Sequence, residues 1–238
     1  EVPAQAKAGT YNGTITLTTP SGQLGAFAIA LTVLPFSLQP SFLDHTVHNW
    51  MDLVTDSYAT LGPQKSEQQV KAELRDIYEH GGVPCITENW GADLRKIFQW
   101  MRDIGYTTKT LYYYGLSGLM SIANSDATRL ARLKSQVQGV VSLAAEYGFT
   151  EVYIYGVDEA PASRRYLERP NYQTVHSAGA KVFVCSYTGT YEAVGDILDT
   201  VVWPAAPDTT EAAKWHSVGH KILCYLNPQS GVEAPASY

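Results

Sequence analysis

Asp158 and Glu159 stand side by side in EVYIYGVDEAP, directly after a run of Val, Ile and Tyr without helical spacing that reads as a strand. A helix cap at DEAPAS needs one acid at the boundary rather than a pair. Glycosidases that attack directly place two carboxyl groups about 5 Å apart across the substrate, normally on different strands. Two neighbours leaving one strand suit another division of labour. The 2-acetamido carbonyl of an aminosugar is then the nucleophile. One acid orients that amide and steadies the positive charge developing on it, while the other protonates the leaving oxygen from a partly apolar, tyrosine-lined pocket.

The other strand-like runs end in similar chemistry. They close on Thr87-Glu88-Asn89-Trp90, Tyr112-Tyr113-Tyr114-Gly115, Ser186-Tyr187, Trp203-Pro204 and Tyr225-Leu226-Asn227-Pro228. Aromatic platforms suit the C–H faces of sugars, and acids and amides suit their hydroxyl edges. Trp90 and Tyr114 join the candidate substrate-binding residues on this ground. Each also has a plainer reading. Rings at strand ends pack rims, and Glu88 can cap a helix or pair with Arg95. His45 and His48 lack a third ligand at metal spacing, so no metal is expected. His176, His216 and His220 lie on or beside helices and read as inert. Cys85, Cys185 and Cys224 sit in separate apolar runs with no C-x-x-C, which favours buried thiols over one disulfide with a thiol left over.

Two kinds of element must position these groups. Residues 9–34, GTYNGTITLTTPSGQLGAFAIALTVL, alternate on both sides of a turn cluster and read as a β-hairpin. Its G-x-Y-x-G-x-I-x-L pattern resembles the last two strands of immunoglobulin-like sandwich modules, so residues 1–36 are assigned to such a module and 37–238 to the domain that follows. From there strands and helices alternate. SEQQVKAELRDIYEHG carries Val70, Leu74, Ile77 and Tyr78 at helical spacing, with Ser66 and Gln69 as a capping box and Gly81 as a stop. ADLRKIFQWMRDIGY and DATRLARLKSQVQGVVSLAAEYGF are further amphipathic helices ended by Gly105 and Gly148, and the helix after DEAP breaks near Pro170. Seven strands, from SFLDHTVHNWM to KILCYLN, separated by helices imply parallel pairing. The count predicts a (β/α)8 TIM-type barrel without its last strand, with functional groups at the C-terminal strand ends. A doubly wound sheet needs a glycine-rich turn after its first strand, whereas HGGVPC places its glycines before one, so no dinucleotide cofactor is expected.

Composition narrows the function classes. The 238 residues are 45% hydrophobic and only 17% charged, with 16 tyrosines and five tryptophans. A tyrosine-rich, charge-poor surface is common in secreted proteins and in carbohydrate binders, so a secreted or cell-surface setting is expected. A net charge of −6 without a Lys/Arg cluster argues against nucleic acid. AFAIALTVLPF is too short to span a membrane. The opening EVPAQAKAGTYNG reads as the middle of a domain, as in a processed or excised chain.

YIYGVDEAP, AGAKVFV, DTVVWPA and ILCYLNPQSGVEAPASY together resemble the catalytic barrel of glycoside hydrolase family 123 and its many uncharacterised relatives. The hairpin resembles the β-sandwich those proteins carry in front. The resemblance spans most of the chain from about Pro35, through a Y-x-x-D-E-x-P motif and a Y-x-N-P-x-x-x-x-E-x-P-x-x-Y tail. It implies a secreted or lysosome-like exo-acting β-N-acetylgalactosaminidase working by acetamido participation. Asp158 then matches the acid that orients the acetamido group and Glu159 the general acid/base. Tyr155, Tyr187, Trp203, Tyr225, Asn227 and Glu233 are implied to line the sugar pocket. The missing strand would leave an open seam for another chain or segment to fill. The alternative is a glycan-binding or structural module that hydrolyses nothing.

Overall fold

A computed structural model describes residues 2–3, 5–37, 45–49, 51, 53, 65–86, 92–205 and 209–225. The chain divides into two compact units, Glu1–Asp44 and His45–Tyr238.

The first unit is the hairpin of β1 (Gly9–Thr19) and β2 (Gly22–Val33), which pair antiparallel. The register sets Tyr11 opposite Leu31 and Ile15 opposite Phe27, whereas Thr10 meets Thr32 and Thr16 meets Ala26. Alternation therefore separates a large apolar face from a face of small and hydroxyl side chains. A register shift between Leu17 and Thr18 precedes the turn, where the Thr19 hydroxyl donates to the Gly22 carbonyl at 3.1 Å.

The second unit holds seven parallel strands: β3 (Thr46–Asn49), β4 (Val83–Ile86), β5 (Thr110–Tyr113), β6 (Glu151–Tyr155), β7 (Lys181–Cys185), β8 (Thr200–Trp203) and β9 (Lys221–Cys224). The sheet order is simply β3-β4-β5-β6-β7-β8-β9. Right-handed crossovers without a reversal of strand order put every connecting helix on the same side of the sheet. The doubly wound alternative is thereby excluded.

The expected TIM-type barrel is corrected. Among the described residues the sheet is open, with β3 and β9 as unpaired edges, and closure requires those two strands to share a ladder. Strand alternation with helices specifies parallel neighbours, and nothing in that alternation specifies the last hydrogen-bonded seam. The sheet still curls strongly, because side chains of both β3 and β9 reach one cavity on its concave side.

The convex side is packed by helices. In α1 (Glu67–Glu79), Ser66 accepts from the Gln69 N–H and Gln69 returns the bond to the Ser66 N–H, closing the expected capping box. Val70, Leu74 and Ile77 are buried, whereas Tyr78 stays exposed and packs on Tyr106. Leu94, Ile97, Phe98 and Met101 bury one face of α2 (Ala92–Ile104), and α4 (Ala127–Glu146) is capped by Asp126 accepting from the Arg129 N–H at 2.8 Å. A short helix, α3 (Ser117–Ala123), follows β5. After β6 come α5 (Ala162–Arg165), a 3-10 turn (Tyr166–Glu168) and α6 (Arg169–Ser177). The break expected near Pro170 falls just before it, since proline in the first turn of α6 forfeits no helical hydrogen bond. The remaining helices are α7 (Thr190–Val194) and α8 (Thr209–Ser217). No helix among the described residues is long and apolar enough to cross a membrane.

Candidate functional site

The concave face is built in layers by strand alternation. Tyr112 and Tyr153 are in register on β5 and β6 and stack at 5.1 Å, with Phe183 of β7 edge-on to Tyr112 at 5.2 Å. Two residues further along each strand come Tyr114, Tyr155 and Cys185. This second layer walls a cavity of about 500 Å³, shared with Thr46, His48, Cys85, Asp158, Phe183, Val202, Leu223, Cys224 and Tyr225. The volume is that of a small ligand site.

The acidic pair sits just beyond β6. The strand ends at Tyr155, and Asp158 and Glu159 occupy a turn rather than the strand end itself. Glu159 adopts a φ of 47°, in the left-handed region, which no strand admits. Its N–H donates to the Cys185 carbonyl at 3.1 Å, so the turn stays docked on the end of β7. Neither acid caps the next helix: Pro161 holds the N-cap of α5 and no side chain bonds there.

The turn sends the two carboxylates to different places. Asp158 lines the cavity, where its Oδ1 accepts from the Tyr155 hydroxyl at 2.6 Å. The same hydroxyl oxygen accepts from the Cys185 N–H at 3.2 Å, which fixes the phenol between strand end and acid. Burial, reinforced by Asp158, drives the Tyr155 phenol far above its usual range, so it remains a donor. Glu159 is exposed and is not among the cavity-lining residues. It stands beside Tyr187, whose phenol it pushes up to about 12.

The other expected site residues divide. Tyr114 lines the cavity and packs on Tyr155 with ring centroids 4.4 Å apart. Tyr225 also lines it, its hydroxyl 3.4 Å from the Cys185 thiol, and that contact together with burial and both acids raises its pKa. Tyr187 is 39% exposed and reaches Glu159 rather than the cavity. Trp203 is not among the cavity-lining residues: Val202 takes the cavity face of β8, so alternation turns Trp203 to the opposite face, where it packs against the core. Trp90, Asn227, Glu233 and Glu88 lie outside the described residues. Arg95, the partner considered for Glu88, donates to Glu146 at 2.6 Å.

Three features escaped the sequence reading. His48 lines the cavity, its ring 5.0 Å from that of Tyr114. The available signal was its position in TVHN, two residues after Thr46 and on the same strand face. All three cysteines are free thiols; Cys85 and Cys185 line the cavity, and Cys224, in register with Trp203 and so turned to the same face, is exposed where a buried thiol was expected. Burial pushes the Cys85 thiol up to about 12. Arg165, only 8% exposed, donates from Nε to the Ala160 carbonyl at 3.0 Å and from Nη1 to the Thr188 carbonyl at 2.6 Å. It clasps the turn that carries the acids to the loop that carries Tyr187. Nothing in a single arginine letter distinguishes this from a solvated surface charge.

Among the described residues no cluster of His, Cys, Asp and Glu has the geometry to hold a metal ion. No family model matches the chain, and no curated protein matches its sequence.

Proposed function

We propose that the concave cavity takes a terminal N-acetylhexosamine and that the chain is a glycoside hydrolase, an exo-acting retaining β-N-acetylhexosaminidase in which the substrate's own acetamido group is the nucleophile. The supporting observation is the split of a consecutive acidic pair: Asp158 enters the cavity bonded to Tyr155, while Glu159 leaves the same turn beside Tyr187. Tyr155 occupies Asp158 Oδ1, leaving Oδ2 to accept from the acetamido N–H. That bond turns the amide oxygen toward the anomeric carbon and steadies the positive charge that develops as the ring closes. Glu159 gives its proton to the leaving oxygen, then takes one from the water that opens the cyclised intermediate. The rings of Tyr114, Tyr155 and Tyr225 offer the apolar wall a sugar face needs. N-acetylgalactosamine as the sugar, and a secreted or cell-surface setting, come from the resemblance to glycoside hydrolase family 123. Among the described residues β3 and β9 are the sheet edges, where an assembly contact by strand addition would form.

One observation favours a second reading. Glu159 does not line the cavity, as a module that holds glycan without cleaving it would allow. An aryl β-N-acetylgalactosaminide and a thiazoline mimic of the cyclised intermediate separate the two. Phenol release that the thiazoline inhibits supports the hydrolase. Thiazoline binding without release supports the binding module, and neither binding nor release overturns both.

A further inference from the structure

His48 stands on the edge strand β3, in register with Cys85 of β4, and both side chains line the cavity. From it a continuous row of rings crosses the concave face. The His48 imidazole packs on Tyr114 at 5.0 Å with a 38° tilt, Tyr114 packs on Tyr155 at 4.4 Å with a 33° tilt, and the Tyr155 hydroxyl holds Asp158 at 2.6 Å. His48 and Asp158 are thus the two polar ends of one aromatic wall. Two ring contacts, with centroids 5.0 and 4.4 Å apart, separate them. His48 also feels the Asp158 carboxylate.

We propose that His48 is a substrate-contacting residue: it hydrogen-bonds a ring hydroxyl of the sugar whose acetamido group Asp158 orients, so that a single aminosugar lies across Tyr114. The inference rests on the proposed N-acetylhexosamine site and adds to it the far anchor of the sugar. One nitrogen of a neutral imidazole, donating or accepting according to its tautomer, is enough to bond a hydroxyl, which can do either. Burial lowers the pKa of this ring, with Asp158 opposing, which favours the neutral form. His48 does not exchange protons with the scissile bond; it fixes which way round the ring sits. A sugar epimerised at the hydroxyl facing it would lose this bond, making His48 a specificity-determining position.

The test is binding of N-acetylgalactosamine, N-acetylglucosamine and the thiazoline to the full chain, by calorimetry at pH 7, with three variants. His48→Phe keeps the ring contact with Tyr114 and removes the hydrogen bond. His48→Gln restores a donor and an acceptor. Asp158→Asn disrupts the acetamido contact. Thermal melting of each variant checks that it is folded. Wild type should bind one of the two epimers better. His48→Phe should weaken the better epimer by about three- to tenfold, the worth of one hydrogen bond, and narrow the preference, with His48→Gln recovering part of both. Unchanged affinity and preference in folded His48→Phe and His48→Gln, while Asp158→Asn loses binding, overturns the role of His48 and leaves the aminosugar site standing. No binding of either sugar or of the thiazoline to wild type overturns both.

Discussion

Tyr155 and Glu159 carry opposite kinds of constraint. Tyr155 is a buried donor whose partner is charged, and such bonds contribute about 1.5–3 kcal/mol. Tyr155→Phe is therefore expected to lower kcat about ten- to a hundredfold on aryl N-acetylhexosaminides and to lower the melting temperature by about 3–12 °C. Glu159 instead holds a backbone conformation disfavoured by roughly 1–2 kcal/mol for a residue with a Cβ. Glu159→Gly relieves that strain at the expense of a freer unfolded chain, so a gain in stability of up to about 1 kcal/mol is expected in urea titration, together with loss of turnover. A stabilised and still fully active variant would remove Glu159 from the chemistry. At this scale the acidic pair was legible because two adjacent carboxylates exceed what a cap requires. The left-handed turn was not, since neither Gly nor Asn marks it. His48 has no metal spacing to mark it, and only strand alternation from Thr46 points to the cavity face.

Among the elements, the turn after β6 is held from both sides. Glu159 N–H bonds the end of β7, and Arg165 grips the Ala160 and Thr188 carbonyls. Arg165→Ala leaves both carbonyls without this donor, and each buried group stripped of its partner costs about 1–3 kcal/mol. Turnover should fall more than sugar binding does, because the Glu159–Tyr187 side of the site loosens before Asp158 leaves its Tyr155 donor. Equal loss in kcat and affinity would contradict that order. A second joint couples α6 to β7 and the segment before β8. His176 Nε2 and the Val182 N–H both meet Asp199 Oδ2, at 2.8 and 2.7 Å. The bond to Asp199 raises the His176 pKa above 6.5. His176 is therefore held more tightly protonated in the folded state. Its contribution is complete below about pH 6.5 and fades as pH rises through the raised value. With the imidazole about a third exposed, the effect stays below about 1 kcal/mol. Urea midpoints should decline from pH 6 to pH 9 in wild type and run flatter in His176→Gln. The helices most legible in the sequence, α1, α2 and α4, carry strong apolar stripes and clear stops. α3 was missed because seven residues, one of them glycine, offer too little periodicity to read.

For the whole molecule, alternation of strands and helices revealed seven parallel strands, and their sequential order forced all the crossovers to one side. Closure is a different kind of fact. It depends on tilt and stagger summed over the sheet, which no single stretch encodes, and here the described sheet stays open at β3 and β9. What the curl does achieve is to gather thiols from β4 and β7 around one cavity. Cys85 and Cys185 are buried and Cys224 is exposed, so one thiol should react rapidly with dithionitrobenzoate in the native chain and two more only after unfolding. The Cys224 adduct, on the face of β9 that Trp203 shares and Leu223 does not, should leave sugar binding unchanged, and a labelled chain that loses binding would move the ligand elsewhere. The central claim, that neighbouring acids act on different atoms of one aminosugar, is tested most directly by leaving-group dependence. Wild type, Glu159→Gln and Asp158→Asn are compared on an activated aryl β-N-acetylgalactosaminide and on a natural disaccharide. Glu159→Gln should lose about 10²–10⁴-fold in kcat on the disaccharide and far less on the aryl glycoside, while Asp158→Asn should lose activity on both. A Glu159→Gln enzyme that cleaves the disaccharide at the wild-type rate would contradict the account.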